Sequence, residues 1–472
     1  MLDFIAGRPT TIDPIALDAF RLALSGRVYT PDDEGYEQAR AGFGLTDTPS
    51  PDVVVVARSA ADVVAAVDFA REHDLPVGVQ ATGHNFGHAF AGGLRINTKL
   101  MQGVTIDPEA RIARVEAGVT WGAVVRAAHQ HGLAPLNGSA PHVGVVGYSL
   151  FGGFGWLLRK YGAAVDSVVA AEVVTADGRL RRVSAATQPD LFWALRGASG
   201  NFGVVTALEF KLYPVSQVYG GALFFPMERA PEIYAAYSRW VETVPEEMTS
   251  SIVLFRVPPL PHVPEFLRGK AIVTIRAAFV GSEEEGTRLL QPLRDLGGLI
   301  ADTFGMLPYT ETGTIANDPK DPMPTWRTTT LLKDLSARTI ATVLRRDGIA
   351  GEAPVTILEI RHLGGAMTRV PPESTSFSQR YAPFIMQTID VLMGPEQAEV
   401  VKRNTRLIAE ALRPHSTGGV LPSWLGDGDY GVERMAAGFS AEHYARLVEL
   451  KRRYDPSNMF RHNHNIPTTA EV

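Results

Sequence analysis

A glycine-rich stretch near residue 80 constrains the fold more than any other feature of the sequence. Residues 79–93 read Val-Gln-Ala-Thr-Gly-His-Asn-Phe-Gly-His-Ala-Phe-Ala-Gly-Gly, and they follow a short apolar run, Leu75–Val79. Because glycine has no Cβ, such a backbone can approach a ligand closely and point its N–H groups at an anion. The stretch therefore predicts a loop that leaves the carboxyl end of a strand, where open α/β sheets bind ligands, and that binds a pyrophosphate group.

This loop contains two histidines, His84 and His88. His84 lies at its centre, where an imidazole is held beside whatever the backbone amides bind, and this position suits a covalent tether to a cofactor ring. The alternative is that both histidines are ordinary turn residues. A zinc site is disfavoured, because a His-x-x-x-His pair binds zinc when both rings lie one turn apart on a helix, whereas glycines interrupt this segment. No metal site is predicted.

Composition excludes several classes of protein. A chain of 472 residues suggests two or three domains, and 45% hydrophobic with 20% charged residues is ordinary for a globular protein. The net charge of −6 offers no basic face for nucleic acid. The first residues lack the features of a signal peptide and no apolar run reaches membrane-spanning length, so we expect a cytoplasmic protein. Without cysteine, redox chemistry would need a bound organic cofactor.

Local patterns predict the elements around the loop. Residues 1–50 suggest a lead-in with one helix, and a capping box at Ser59-Ala-Ala-Asp62 predicts a helix to about Glu72. Further elements are predicted from alternation, turn residues and caps. They are a strand at Val53–Val56, a hairpin over 104–117, a helix at Trp121–Gln130 capped by Thr120 and ended by Gly132, a hairpin over 168–183 around Asp177-Gly178, and a strand over 204–213 before Pro214.

Two more glycine-rich segments lie at 140–155 and 197–203. The first of these does not place a Gly-x-Gly-x-x-Gly between a strand and a helix with a ribose-binding acid at the expected offset, so a Rossmann fold is rejected. From about 215 to 420 the composition is that of a separate α+β unit, with strands at Ser251–Val257, Ala271–Val280 and Val355–His362. A helix at Ala441–Tyr454 follows.

Taken in order, these pieces resemble the FAD-linked oxidases of the berberine bridge enzyme-like family, within the vanillyl-alcohol oxidase and p-cresol methylhydroxylase (PCMH) superfamily. The shared motifs include Gly-His in the first loop, Pro-x-Val-Gly-Val, Gly-Gly-x-Gly, Asp-Leu-Phe-Trp-Ala-Leu-Arg-Gly, Gly-Asn-Phe-Gly-Val-Val-Thr and Tyr-Asp-Pro-Ser-Asn-x-Phe. The resemblance implies an α+β fold. A two-subdomain PCMH-type FAD-binding domain would occupy residues 1–214, a substrate domain whose antiparallel sheet roofs the flavin 215–419, and a return to the FAD-binding domain 420–472.

The resemblance also implies the cofactor and its contacts. FAD would be bound covalently through His84 to the 8α-methyl of the isoalloxazine, by a single link because Ala140 stands where many family members have a cysteine. His88 has no role in this scheme. Asn463 and Asn465 are among the implied flavin contacts; alternatively, they cap a turn before Pro467. The implied contacts other than His84 are Ala81, Thr82, Gly83, Asn85, Val143, Gly144, Gly147, Gly152, Gly153, Gly200, Asn201, Gly203, Val205, Asn463 and Asn465.

Val143 lies where the family carries a residue over the oxygen-reactive face of the flavin. A valine there resembles the oxidases, so O2 is the expected acceptor; alternatively Val143 is a packed turn residue. Tyr148 and Phe154 map near the flavin, and each could equally be a packing residue.

Gln387 falls at or near a glutamate general base of some family members, but an amide cannot take a proton at neutral pH. Glu359 and His362 are candidate replacements, and with Gln387 and Tyr148 they form the set of candidate catalytic residues. In the alternative, Glu359 pairs with Arg361 on a sheet face and His362 is a satisfied strand residue. Leu421 and Ser423 stand where the family often has a tyrosine and an asparagine facing the substrate.

The function implied is an FAD-dependent oxidase. It would take a hydride from a C–OH, C–N or activated C–H bond of a small organic substrate to flavin N5, with reoxidation by O2 to H2O2. A dehydrogenase that uses another acceptor and a flavin-binding protein without turnover are the alternatives. The chain would bind neither nucleic acid nor membrane, and it would be a monomer or a homodimer.

Overall fold

The computed structural model describes residues 12–46, 48–85, 90–259, 263, 265–346, 355–429 and 431–469. His88 lies outside the described residues. The helices are α1 Pro14–Ala23, α2 Tyr36–Arg40, α3 Ala60–Glu72, α4 Trp121–His129, α5 Val145–Leu150, α6 Leu158–Tyr161, α7 Ala164–Ser167, α8 Pro189–Ala198, α9 Ala230–Trp240, α10 Glu283–Arg294, α11 Gly313–Ala316, α12 Ala337–Arg346, α13 Pro395–Leu412, α14 Val432–Ala436 and α15 Ala441–Tyr454.

The strands form three sheets. They are β1 Arg27–Tyr29, β2 Val53–Val56, β3 Val77–Gln80, β4 Leu94–Asn97, β5 Val104–Asp107, β6 Ile112–Glu116, β7 Val168–Val174, β8 Leu180–Ser184, β9 Val204–Lys211, β10 Gln217–Pro226, β11 Met248–Arg256, β12 Ala271–Phe279, β13 Ala301–Asp302, β14 Gly305–Pro308, β15 Thr325–Leu332, β16 Ile357–His362 and β17 Phe384–Val391.

The first sheet has the order β1-β2-β4-β3, in which β2, β4 and β3 are parallel. All four valines of β2 are buried, as the continuous apolar run predicts. Helix α3 begins where the capping box predicts, with the Ser59 hydroxyl accepting the Asp62 N–H at 3.3 Å. The glycine-rich loop leaves the carboxyl end of β3, which is the predicted position.

Two expectations for this region were wrong or incomplete. The lead-in contains β1 and α2 besides α1, rather than one helix. The strand β4 was not foreseen, although it lies between β2 and β3. The edge strand β1 has only three residues, and the apolar–polar alternation of β4 extends over only four residues, of which Arg95 and Asn97 are polar although they are buried.

The second sheet is antiparallel, with the order β5-β6-β9-β7-β8. Both predicted hairpins are confirmed. Helix α4 starts after Thr120, but the Thr120 side chain makes no capping bond, while Gly132 has the predicted left-handed φ of 68°. Helix α15 has the predicted bounds and packs into the core of this sheet through Leu447 and Val448.

The third sheet runs β13-β10-β12-β11-β16-β17-β15, with β14 also paired to β10. Alternate side chains such as Ile252 and Ile360 share one core with residues of helices α9, α10, α12 and α13. Those of the opposite face, such as Leu331 and Ile385, share a core with Phe154 of the second glycine-rich segment. The sheet therefore lies over that segment.

The strands of the first two sheets all precede residue 214, and those of the third lie between 217 and 391. The domain boundaries at 214 and 420 themselves stay predictions. Within the described ranges, no helix is both long enough and apolar enough to cross a membrane.

Candidate active site

Backbone hydrogen bonds fix the loop after β3. The N–H of Phe43 donates to the Thr82 carbonyl at 3.0 Å, and the N–H of Gly44 donates to the Gly83 carbonyl at 2.8 Å. The ring of Phe43 stacks on the His84 imidazole with ring centroids 4.1 Å apart. The segment that precedes β2 thus supports the loop from one side, through Phe43, a residue that no local sequence pattern marks.

His84 has one ring nitrogen held and the other unpartnered. Its Nδ1 lies 2.8 Å from the Thr82 hydroxyl, and its buried Nε2 has no hydrogen-bond partner among the described residues. Burial, reinforced by the charges of His142 and Arg327, lowers the pKa of His84 to about 3. The imidazole is therefore neutral near pH 7 and has a lone pair that can attack an electrophile.

The second glycine-rich segment packs beside this loop. A Cβ added to Gly144 would lie 3.3 Å from the Ala81 Cβ, whereas a Cβ added to Gly147 would meet nothing within 4 Å. Val143 is half-buried. The second segment therefore lies close to the first loop at Gly144 and leaves free space at Gly147.

Tyr148 lies on α5, with its ring edge against Trp121 at a centroid distance of 5.4 Å. Its buried hydroxyl has no partner in the described part of the chain, and burial raises the pKa of this phenol well above its usual value. A Cβ on Gly153, whose φ is 78°, would lie 2.6 Å from the Tyr148 ring. Gly153 is therefore needed for packing as well as for its backbone conformation; Gly152 also has a positive φ, of 127°.

The third glycine-rich segment and the C-terminal segment are joined by Asn201. Its amide nitrogen donates to the Ala198 carbonyl at 2.9 Å and the His464 carbonyl at 3.1 Å, and its Oδ1 accepts the Ile466 N–H at 2.8 Å. Gly203 has a φ of 156°, and an added Cβ would lie 2.4 Å from the Val174 carbonyl oxygen. The neighbouring Val205 is buried in the core.

Asn463 and Asn465 present unused acceptors. The Asn463 amide nitrogen donates to the Phe460 carbonyl at 3.1 Å and to the Gly200 carbonyl at 3.4 Å, as a turn-capping residue would. However, the buried Oδ1 atoms of both asparagines have no partner within the described ranges. Buried polar atoms are rarely left unpaired, so a bound polar ligand is the natural partner for them.

The described residues fit FAD. Backbone approach at Gly144, open space at Gly147 and at Gly200, and unpartnered buried atoms on His84 and the two asparagines lie on the three glycine-rich segments and the C-terminal segment. Asn85, another predicted contact, directly follows His84 in the chain. A dinucleotide needs such a combination of close backbone, free space and polar atoms.

On the third sheet, Glu359 and Gln387 are cross-strand neighbours. Glu359 Oε2 accepts a hydrogen bond from the Gln387 amide and forms an ion pair with Arg361 Nε at 3.0 Å. Burial raises the pKa of Glu359, but the charges of Arg361 and Arg276 outweigh this effect and the net pKa is lowered. Glu359 is therefore ionised, and the predicted alternative, a Glu359–Arg361 pair on a sheet face, is what the structure contains.

His362 lies on the other face of β16 by strand alternation, on the side of Leu358 and Ile360. Its Nε2 lies 2.6 Å from Arg159 Nη1. Because arginine can only donate, Nε2 must be the acceptor and Nδ1 must carry the proton in the neutral ring. Burial and the charge of Arg159 lower the pKa of His362 to about 3. A ring bonded in this way has no lone pair for a substrate proton, so His362 does not suit the general-base role predicted for it.

Aromatic and small residues complete the site. The Arg361 guanidinium lies 4.9 Å from the centre of the Trp424 ring, which also stacks near Phe154 at 6.5 Å. Leu421 is buried in the same cluster, and the buried Ser423 hydroxyl has no partner among the described residues. A cavity of about 20 Å³ between Phe154 and Arg361 is large enough for one water.

The structure thus places Gly144 beside Ala81 and Asn463 beside Gly200, and it places Glu359 and Gln387 in the sheet above. Sequence reasoning missed Phe43, Arg159 and Arg327, whose Nη2 donates to the His84 carbonyl at 3.4 Å. No local pattern marks these residues, because each acts on a partner far away in the chain. In the described part of the chain, no three His, Cys, Asp or Glu side chains cluster as metal ligands would.

Comparison with known proteins shows where this chain has relatives. The family profile described as "FAD binding domain" matches residues 51–184, and the profile "Berberine and berberine like" matches 425–467. An FAD-linked oxidoreductase of Bacillus subtilis, YgaK, is 30% identical over 94% of this chain and 97% of its own length. The (R)-6-hydroxynicotine oxidase of Paenarthrobacter nicotinovorans is 29% identical over 94% and 97%.

A crystal structure of 6-hydroxy-D-nicotine oxidase from Arthrobacter nicotinovorans superposes with a TM-score of 0.84 at 26% identity, covering 95% of this chain and 99% of that one. The fold expected from the resemblance is confirmed.

Proposed function

Since the chain belongs to the berberine bridge enzyme-like family of FAD-linked oxidoreductases, we propose that it is an oxidase that holds its FAD through one covalent bond to His84. The observation that carries the proposal is the His84 ring. It is neutral, it stacks on Phe43 with His142 tilted against it at 4.9 Å, and its Nε2 is buried without a partner among the described residues.

FAD bound here would supply the redox chemistry, accepting a hydride from a C–OH, C–N or activated C–H bond and passing the electron pair to O2 to form H2O2. The chain would hold it through the loop at 81–85, the segment at 143–153, the turn at 200–205 and the amides of Asn463 and Asn465. Ala140 offers no second point of attachment. Rigid stacking of His84 would fix the cofactor against the sheet.

The sheet would orient the substrate. Gln387 can donate and accept a hydrogen bond, and Glu359 holds the Gln387 amide and the Arg361 guanidinium in place. Because its neighbours lower the pKa of Glu359, this carboxylate is a weak proton acceptor that suits alignment of a substrate hydroxyl or amine better than removal of its proton. A small organic molecule with such a group is the proposed substrate class, as in the related (R)-6-hydroxynicotine oxidase.

The first experiment is the absorbance spectrum of purified protein before and after acid precipitation. Flavin absorbance that stays with the pellet is the expected result, and release of all flavin into the supernatant would contradict the covalent bond. Protein that is colourless and binds no added FAD would contradict the whole proposal.

A second experiment separates the oxidase from a dehydrogenase of the same fold. The protein is reduced with dithionite without oxygen and then mixed with air-saturated buffer. Reoxidation within seconds, with one H2O2 formed per flavin, is expected of an oxidase. Reoxidation over many minutes, accelerated by a quinone, would identify a dehydrogenase instead.

A further inference from the structure

A lysine outside the proposed cofactor contacts is the most deeply buried ammonium of the described chain. Lys451, near the end of α15, has no exposed side-chain surface. Its Nζ donates to three acceptors, the Asn201 carbonyl at 2.7 Å, Asp455 Oδ2 at 2.7 Å and the Phe460 carbonyl at 3.2 Å. All three protons of the ammonium are thereby used.

Its partner carboxylate organises the turn that follows the helix. Asp455, which is equally buried, accepts the N–H of Met459 at 2.7 Å and the N–H of Phe460 at 2.9 Å. Removing two charges from water is costly unless each is paired and hydrogen-bonded, and here both conditions are met. The pair therefore fixes the backbone conformation of residues 455–460.

The same ammonium connects two segments that carry candidate flavin contacts. Through the Asn201 carbonyl it reaches the turn at 199–203, and through the Phe460 carbonyl it reaches the start of the C-terminal segment at 460–466. The Asn201 side chain and the Asn463 amide then bond the two segments to each other further along. The Lys451 ammonium thus donates a hydrogen bond to each of the two segments.

We propose that Lys451 is a positioning residue for the cofactor: it holds residues 460–466 against residues 199–203 so that the Oδ1 atoms of Asn463 and Asn465 face the bound flavin. The inference rests on the FAD site proposed above. The two Oδ1 atoms are buried without partners among the described residues, so they need a backbone that is ordered before the ligand arrives. A merely structural ion pair would stabilise the fold without a specific effect on the cofactor.

The test replaces Lys451 by methionine, which has a similar length and no donor. In a His84→Ala background, where FAD exchanges freely, we expect the FAD dissociation constant from fluorescence titration to rise at least tenfold for Lys451→Met. Leu447→Ala is the matched control, because Leu447 is fully buried on the same helix and touches neither segment through a hydrogen bond. It should lower the melting temperature and leave FAD affinity within twofold.

A double-mutant cycle shows whether Lys451 acts through the asparagines. Combined with Asn465→Ala, the Lys451→Met change should add less than its full effect on FAD affinity, since one of the two positioned atoms is already gone. Equal FAD affinity in Lys451→Met and Leu447→Ala, or full additivity with Asn465→Ala, would overturn the proposal.

Two other outcomes, a Lys451→Met protein that does not fold and a His84→Ala protein that binds no FAD, each have their own test. If Lys451→Met does not fold, Lys451→Gln is used, and it must show the same weakened FAD binding. If the His84→Ala protein binds no FAD, the flavin reduction potential and visible circular dichroism are compared in the His84-containing chain, where Lys451→Met must change both and Leu447→Ala neither. Absence of FAD from every variant, the unaltered chain included, would contradict the FAD site itself and is distinct from failure of the positioning role.

Discussion

Two buried histidines lie in different regions of the molecule and share two properties. His84, in the loop after β3, and His362, at the end of β16, both have a pKa lowered to about 3 by burial and by a neighbouring positive charge. Both rings also have one nitrogen without a partner among the described residues. Judged by pKa and burial alone, the two are equivalent candidates for a functional role.

The partner of the other nitrogen separates them. His84 Nδ1 meets the Thr82 hydroxyl, which can accept a proton or donate one, so the ring can present a lone pair at its unpartnered nitrogen. His362 Nε2 meets Arg159, which only donates, so the unpartnered nitrogen of His362 is an N–H. A perturbed pKa therefore marks burial, and the hydrogen-bond partner decides which buried ring can react.

The largest expected effect is on covalent flavin. His84→Ala should abolish acid-stable flavin absorbance completely, because the proposed covalent bond forms at His84 Nε2 and Ala140 offers no second point of attachment. His362→Ala should retain it, and so should His142→Ala, which removes the imidazole 4.9 Å from His84. Acid-stable flavin in His84→Ala, measured by absorbance of the precipitated protein, would eliminate the distinction drawn between the two histidines.

The next effect tests the arginine that makes His362 inert. Arg159→Met removes the donor to His362 Nε2 and to the Leu363 carbonyl, which should cost about 2–3 kcal/mol in the free energy of unfolding. It should also raise the pKa of His362 towards 6.5, because a neighbouring positive charge is gone. Urea unfolding and an NMR titration of the ring measure these two quantities. A His362 pKa that does not rise would mean that Arg159 has no part in it.

A smaller effect should appear on acidification. Since the pKa of His362 is about 3 in the folded chain against 6.5 when free, its neutral form contributes stability that is complete above pH 6.5 and is lost as the pH falls towards 3. One such group contributes a slope of about 1.4 kcal/mol per pH unit in this window. His362→Gln should reduce the slope by that amount in urea unfolding between pH 6.5 and 4.5. An unchanged slope would show that His362 is already protonated or exposed.

The smallest expected effect concerns the group that orients His84. Thr82→Val removes the hydroxyl at Nδ1 while keeping the shape of the side chain. With one neutral hydrogen bond worth about 1 kcal/mol, we expect flavin attachment after addition of FAD to the apo-protein to slow roughly fivefold. Thr82→Ser keeps the hydroxyl and serves as the control. Equal rates in Thr82→Val and Thr82→Ser would show that this bond does not orient the ring.

Much of the fold was readable from the sequence, because hairpins, caps and apolar runs are local. The Asp177-Gly178 turn, the Ser59 cap and the bounds of α15 all agree with the structure. The strand β4 was not predicted because it has only four residues, two of them polar, and it pairs with strands on both sides that come from other parts of the chain. The strand β1 and the helix α2 were not predicted because they have only three and five residues, which is too short for a periodic pattern.

The candidate site divides in the same way. Glycine-rich segments and the loop histidine are local features, so the sequence predicted a pyrophosphate-binding loop with His84 at its centre. The alternative that Glu359 pairs with Arg361 also followed from their spacing on one strand, and the structure shows this pair. The roles of Lys451 and Phe43 could not follow, since their partners come from other segments of the chain.

The sequence by itself therefore determined which segments can approach a ligand closely, because glycine content and strand ends are properties of neighbouring residues. Only the tertiary structure decided which nitrogen of each buried histidine is occupied and by what kind of group. Arg159 and His362 are 203 residues apart, and Lys451 and Asn201 are 250 apart. Whether a ring nitrogen donates or accepts a hydrogen bond depends on which group the fold places beside it, and no periodicity along the chain encodes that placement.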